Sequence, residues 1–430
     1  MRKPVLKDYQ MKVINKNKAV GGLEEKMEEK TTGYSRRKFL ATSAAGLVSA
    51  GIAGLSPGLS LAQKADKVRG EIIHRQLGKT KLNIPVISHG SGGVNDANVI
   101  QTAYELGARL FDTAANYQTG ANEMLIGNVL KKMGVRDKSV ILTKIYTPAQ
   151  RRNENPEQIK KKLASMTNGS LKRLRTDYID ILLIHDVRTN DIAGNKAIIE
   201  GMTDLKKQGK VKFIGISTHA NMTEVINSVI PIDAWDVILT SINFTLANDA
   251  EFMEAVEKAG KRNIGLIGMK TLAFGSQWPN PESRGNYSTS VVASALMKWV
   301  LHNKNVATIM PACNNLNQLN EDFPIAYNID YTDEEKELLL DNSIELSMGY
   351  CKQCSICLAS CPNNADIPTL MRTHMYATKY VDFNLAQSAL DEIKRNHGLD
   401  ACALCNNCMA QCVNTVDIKN RINELKTIYA

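Results

Sequence analysis

Eight of the nine cysteines fall in two short runs. Cys351, Cys354, Cys357 and Cys361 are spaced C-x2-C-x2-C-x3-C and followed by Pro362, and Cys402, Cys405, Cys408 and Cys412 repeat that spacing. Thiols crowded this closely point to metal, because disulfide staples are spread through the chains that use them, and those chains are usually much smaller. A structural zinc site takes four ligands, commonly as two separated pairs, whereas each run offers three close thiols and a trailing fourth. That arrangement suits iron–sulfur clusters. A second set of reactive groups lies upstream, at the ends of apolar runs. Leu110-Phe111 leads into Asp112 with Tyr117 just beyond, Ile141-Leu142-Thr143 into Lys144, and Leu182-Leu183-Ile184 into His185. A carboxylate, a phenol, an ammonium and an imidazole are the groups that can deliver a proton to a developing alkoxide and hold a carbonyl in place.

The elements that must position these groups alternate along the middle of the chain. Strand-like runs occur at Pro85–Ser88, Leu110–Thr113, Val140–Ile145, Ile179–His185, Phe213–Ser217, Val237–Ile242, Ile264–Met269 and Ala307–Pro311. Amphipathic helical segments lie between them at Asn122–Met133, Glu157–Leu174, Asn195–Gln208, Met222–Val229, Asp249–Lys261 and Thr289–Asn303. Eight strands alternating with helices over about 250 residues predict an α/β fold, a (β/α)8 TIM barrel. A doubly wound sheet competes, but no Gly-x-Gly-x-x-Gly follows the first strand. Gly90-Ser91-Gly92-Gly93 reads only as a tight turn. In a barrel the C-terminal strand ends share one mouth, so Asp112, Tyr117, Lys144 and His185 should converge there. Gln277-Trp278-Pro279 is a candidate lining set for that mouth.

Residues 72–325 resemble the aldo/keto reductases. His74-Arg75-Gln76-Leu77-Gly78 looks like the opening hairpin of that family, and Asp112, Tyr117, Lys144 and His185 match its catalytic tetrad in order and spacing. The resemblance implies interconversion of a small carbonyl and an alcohol with NADP or NAD. Tyr117 would be the proton donor, Lys144 would lower its pKa, Asp112 would hold Lys144, and His185 would donate to the carbonyl oxygen. Cofactor contacts are implied at Ser217, Thr218, Asn243, Met269, Lys270, Asn315 and Gln318. Three departures stand out. After the sixth strand the chain offers Leu239–Asn243 where many relatives use a glutamine. Met269 stands where many relatives stack a tyrosine on the nicotinamide. The stretch Pro311–Asp322 has no Lys or Arg, where relatives selecting a 2′-phosphate place a base, so NADP and NAD both stay open. Cys313 reads as a small core or loop residue.

The two cysteine runs resemble bacterial dicluster ferredoxins, in which the fourth thiolate of each run crosses to the other cluster. This implies one [4Fe-4S] cluster on Cys351, Cys354, Cys357 and Cys412, and another on Cys402, Cys405, Cys408 and Cys361. Helical patterning at 367–380 and 384–396 favours a small, mostly helical iron–sulfur domain. The predicted organisation is a leader at 1–62, the barrel at 70–330 and the iron–sulfur domain at 331–430. The leader carries Ser35-Arg36-Arg37-Lys38-Phe39-Leu40 before a Gly/Ala/Ser-rich apolar run, the form of a twin-arginine signal, with Met27 an alternative start to Met1. Such a signal implies export of the folded protein to the periplasm, with the membrane touched only through an uncleaved signal. Residues 1–38 hold 11 of the 53 basic and 5 of the 44 acidic residues, which leaves the rest of the chain at +3. That balance excludes a nucleic-acid partner. Three functions stay open: a reductase whose clusters exchange electrons with a redox partner protein, an electron-transfer or docking protein built on a barrel scaffold, and a reductase whose clusters are structural or oxygen-sensing. Wiring the halves together meets an obstacle, since a nicotinamide moves two electrons as hydride and each cluster moves one.

Overall fold

The computed structural model describes residues 70–146, 155–273, 287–341, 349–380 and 382–429; the leader and Gln277-Trp278-Pro279 lie outside them. A two-stranded antiparallel hairpin, β1 (His74–Gln76) and β2 (Asn83–Pro85), comes first. Eight parallel strands follow in sequential order: β3 (His89–Gly90), β4 (Leu110–Asp112), β5 (Val140–Ile145), β6 (Ile179–Ile184), β7 (Val211–Thr218), β8 (Val237–Ser241), β9 (Gly265–Met269) and β10 (Val306–Ile309). The sheet closes on itself through parallel bridges between Ile87 and Ile309 and between Gly90 and Ala312. Ser88 donates to Ile309 at 2.8 Å and Ile309 to Val86 at 3.0 Å. The predicted first strand, Pro85–Ser88, is therefore the seam of the barrel, and its ladder with β4 begins only at His89.

The strands are apolar on both faces because both faces are buried. In β6 Ile181 and Leu183 join Leu110, Leu142, Val237, Leu239 and Ile267 in one cluster, which Leu77 and Ile84 of the hairpin complete. Leu182 and Ile184, pointing the other way, pack in the larger cluster with the helices. The outer helices are α1 (Ala97–Glu105), α2 (Ala121–Met133), α3 (Pro156–Leu174), the single turn α4 (Asn190–Ala193), α5 (Lys196–Lys207), α6 (Met222–Val229), α7 (Ala250–Lys261), α8 (Thr289–His302), α9 (Leu316–Asp322) and α10 (Asp333–Leu340). Asp96, Asn155, Asn195, Asp249, Ser288 and Thr332 each accept a backbone N–H at a helix start. These caps satisfy donors that the first turn leaves without an intrahelical partner.

The cysteine-bearing region adds α11 (Ile367–Thr378), α12 (Phe383–Asp391), α13 (Leu399–Ala403) and α14 (Ile418–Tyr429). Residues Glu71–Asn423 form one compact unit, so the first of these helices lie against the barrel rather than apart from it. Every residue of α11 from Ile367 to Ala377 is buried, including Arg372 and His374. A helix buried all round must be covered on every side, and its charges must find partners.

The partners come from the ends of the barrel strands. Arg372 is 3% exposed; it forms ion pairs with Glu392, just past α12, and with Asp186, just past β6, the latter at 3.6 Å. Its Nη1 lies 2.6 Å from Nδ1 of His219 in the loop after β7. Arg188 completes the set, pairing with Asp186 at 2.5 Å, Asp366 at 2.9 Å and Glu392 at 3.2 Å. Tyr146, at the end of β5, donates to Glu392. Burial opposes ionisation of Asp186, but the Arg188 and Arg372 guanidiniums hold it well below the usual carboxylate range. Removing one member of such a set strands its partner, at a typical cost of about 3–5 kcal/mol, whereas replacing a pair by apolar groups costs far less. Arg372→Met and Glu392→Leu should each lower the urea midpoint of the anaerobically handled protein. The double variant should recover part of the loss, a non-additivity that a four-member denaturation cycle measures directly.

Candidate active site

Strand register sets the tetrad. β4 and β5 pair so that Asp112 stands opposite Leu142, which leaves Lys144 reaching past the end of β4. Lys144 Nζ lies 2.5 Å from Asp112 Oδ1, donates to the Thr113 carbonyl at 2.8 Å and donates to Tyr117 Oη at 3.2 Å. Tyr117 opens a short turn, Tyr117–Gly120, in which Gln118 and Thr119 have φ of 49° and 56°. That left-handed stretch turns the phenol back over the strand ends. Gly92 makes the room, since a Cβ there would lie 3.3 Å from the Tyr117 ring. The glycine run thus does more than turn the chain. The His185 ring meets the Tyr117 ring edge-on at 6.0 Å between centroids and stacks on Tyr146 at 4.7 Å. All four sequence-predicted tetrad residues therefore come together.

The electrostatics depart from one expectation. Burial, reinforced by Asp112, Tyr376 and Glu392, pushes the Tyr117 phenol well above its ordinary pKa. Lys144 alone would drive it down, but desolvation and nearby acidic groups prevail, so the phenol is held protonated. Burial pulls Lys144 down and Asp112 up, and their mutual attraction opposes both shifts. Burial and the Lys144 charge also hold His185 well below its usual value, which keeps the imidazole neutral.

A cavity of about 210 Å³ opens beside Tyr117 and Asp112. Of the seven predicted cofactor contacts, Met269, Lys270 and Gln318 line it. The others are committed elsewhere. Ser217 accepts from the Asp186 amide at 3.1 Å, and Thr218 donates to the Ala220 carbonyl at 3.0 Å. Asn243 accepts from Thr245 and donates to the Lys270 carbonyl at 3.2 Å, and Asn315 caps α9. Thr218, Asn243 and Asn315 bond backbone within a few residues, and Ser217 and Asn243 also bond backbone of neighbouring strand ends. Lys270 is the one basic side chain among the described lining, and burial together with Arg372 lowers it to about 8. Glu321, Asp322 and Asp382 line the same space. Burial raises Asp322 to about 6, and it accepts from the buried Cys313 thiol at 3.3 Å, which accounts for that cysteine as a core residue.

The sequence reading missed one wall entirely. Tyr376, Tyr380, Asp382 and Leu385, all from the cysteine-bearing region, line the cavity opposite the barrel. One of the two cysteine sets implied by the ferredoxin resemblance comes together around a common space. Cys351, Cys354, Cys357 and Cys412 line one common cavity. Around it Asn414 donates its amide N–H to Cys412 Sγ at 3.3 Å. In the other set the Ala365 amide donates to Cys361 Sγ at 3.4 Å and the neighbouring Asn363 to Cys405 Sγ at 2.9 Å. Four thiols around a shared space, with N–H groups aimed at sulfur, fit an iron–sulfur cluster.

Comparison with known proteins agrees with this geometry. Residues 93–289 match the aldo/keto reductase family, and residues 350–417 match a 4Fe-4S dicluster domain. The chain is 23% identical over 296 residues to L-galactose dehydrogenase of Arabidopsis thaliana, covering 62% of this chain and 91% of that protein. It is 32% identical over 198 residues to methylglyoxal reductase DkgB of Salmonella typhi, covering 45% and 69%. In fold it is similar to the holo form of aldo-keto reductase AKR11C1 from Bacillus halodurans, with a TM-score of 0.50, 22% identity, and coverage of 63% of this chain and 95% of that one. A closed eight-stranded barrel with the tetrad at its mouth, and sequence kinship on that scale, lead to one conclusion: the chain belongs to the aldo/keto reductase family of oxidoreductases and carries a 4Fe-4S dicluster domain behind the barrel.

Proposed function

We propose that the protein interconverts a small carbonyl compound and its alcohol with NAD(H), carries two [4Fe-4S] clusters, and is exported folded through the twin-arginine route to the periplasm. The observation that carries the chemistry is Lys144, locked between Asp112 and the Tyr117 phenol at the edge of the cavity. A nicotinamide bound in that cavity would supply the hydride. In the reducing direction Tyr117, kept protonated by burial, gives its proton to the oxygen that becomes the hydroxyl, and solvent restores it. The Lys144 ammonium stabilises the phenolate left behind, and Asp112 keeps that ammonium in place. Neutral His185 orients the carbonyl. The lining supports NAD over NADP, because Glu321, Asp322 and Asp382 stand in the cavity and Pro311–Asp322 supplies no cation for a 2′-phosphate.

The cysteines divide as Cys351, Cys354, Cys357 and Cys412 for one cluster and Cys361, Cys402, Cys405 and Cys408 for the other. A structural role for the clusters has its own support. The buried Asp186–Arg372–Glu392 network ties the dicluster domain to the strand ends, an investment that electron transfer alone does not need. Export agrees with both roles, since a cluster must be inserted before a folded protein crosses the membrane.

Three measurements test the reading. Tyr117→Phe should lower the rate of carbonyl reduction by about 10²–10⁴-fold while nucleotide binding barely changes; near wild-type turnover would refute the tetrad assignment. NADH should bind at least about tenfold more tightly than NADPH, from like-charge repulsion of the extra phosphate. In an anaerobic spectrum, NADH should leave the cluster absorbance unbleached if the clusters are structural, and should bleach it if they exchange electrons with the nucleotide.

A further inference from the structure

The cavity beside Tyr117 has two kinds of wall. One is barrel, the loops after β3, β9 and β10. The other is the dicluster domain, through Tyr376 and Tyr380 of α11 and its extension and through Asp382 and Leu385 at the start of α12. Apart from Tyr117 itself, Tyr376 and Tyr380 are the aromatic side chains of the described lining. They form a tilted pair with centroids 5.4 Å apart. Met269, on the barrel side, presents no flat face. Tyr376 and Tyr117 line the same cavity. The Lys270 ammonium lies 5.4 Å from its ring centroid.

The same helices bridge the mouth from side to side. On one side Arg372 and Glu392 join the network at the ends of β6 and β7. On the other, Asp382 presses on the loop after β3 so closely that a Cβ at Gly93 would lie 2.6 Å from its Oδ2. α12 also packs on the Tyr117–Gly120 turn. The start of α11 is fixed by the first cysteine run and by His397, which precedes the second. Ala365 donates to Cys361 Sγ, the Asp366 amide donates to the His397 carbonyl at 2.7 Å, and Gln353 donates to the Pro368 carbonyl at 2.6 Å.

We propose that Tyr376 is the aromatic face against which the nicotinamide end of the cofactor packs, and that α11 and α12 form the retaining lid of the cofactor cavity, held shut by the clusters. The inference rests on the nicotinamide reading of the cavity. A planar ring packed with one face on Tyr376, its other face left open to the carbonyl, gains the contact energy of an aromatic pair beyond simple burial. Because the lid is a domain and not a loop, release of the nucleotide requires that domain to lift. Loss of the clusters frees the segment that leads into α11 and so loosens the lid. The cofactor of an exported enzyme is kept by the same domain that carries its iron.

The test uses the full-length holoprotein, with NADH as the probe. NADH release is followed by stopped-flow fluorescence, and Kd by calorimetry, before and after anaerobic removal of iron with a chelator. Circular dichroism checks that the barrel survives the treatment. Cluster loss should speed NADH release at least about tenfold, and Tyr376→Leu, with both clusters intact by spectrum, should weaken binding up to about tenfold. Tyr376→Phe should bind as wild type does. Tight NADH binding whose release rate ignores both the clusters and Tyr376→Leu would overturn the lid and leave the cofactor reading standing. A holoprotein that binds neither NADH nor NADPH would overturn that reading, and the lid with it.

Discussion

An ammonium 1% exposed at the end of a strand is the constraint around which the mouth of this barrel is organised. Lys144 is too costly to bury without full compensation, so its three donors are spent on Asp112, the Thr113 carbonyl and Tyr117. Each partner fixes something else. Asp112 fixes the end of β4, and Thr113 is fixed from behind by its hydroxyl bond to Asn122 at 2.7 Å. Tyr117 fixes the left-handed turn and, through it, the close fit against Gly92. The buried side chain of Asn122 closes the circle by donating to the Ser91 and Val94 carbonyls. A charge in the wrong place would cost several kcal/mol, so the tetrad and the loop after β3 are specified together.

The second buried charge system, around Arg372, extends that logic across the join between barrel and dicluster domain. Covering the mouth removes water, and water would otherwise screen Lys144, Asp112 and Lys270 from one another. The resulting low-dielectric chamber explains why Tyr117 titrates upward. It also explains why His185 and His219 are both held neutral. Enclosure is therefore a chemical setting as well as a mechanical one. It keeps the Tyr117 phenol protonated and the His185 imidazole neutral.

The parts legible in the sequence were those set by topology or spacing. Strand-end residues of a parallel barrel share one mouth whatever the loops do, so Asp112, Tyr117, Lys144 and His185 could be placed together. The resemblance of the cysteine runs to dicluster ferredoxins likewise implied that Cys412 joins the first run, and it lines one cavity with Cys351, Cys354 and Cys357. α1 went unread, although Asp96 followed by Val99, Ile100 and Ala103 is a cap and a helical stripe. The first strand was placed a few residues early, because Val86–Ser88 is apolar enough for a ladder yet serves as the seam to β10. Arg372, Glu392 and Tyr376 were hidden for a different reason. On paper they are ordinary residues of amphipathic helices, and their partners Asp186, His219 and Tyr117 lie 150 or more residues away. No local pattern encodes such a pairing. Ser217, Thr218 and Asn243 show the converse, polar strand-end residues whose bonds go to backbone within the barrel.

Gly93 and Asp382 touch across the cavity, yet the ribosome makes them far apart in time. At about 5–20 residues per second, the chain between them takes roughly 15–60 s to synthesise. For the last part of that interval, after β10 (Val306–Ile309) has been made, the barrel can fold around its own hairpin with its upper end bare. A nascent chain thus passes through a stage in which the tetrad is assembled but unroofed, and the last hundred residues, with their iron, decide when that stage ends.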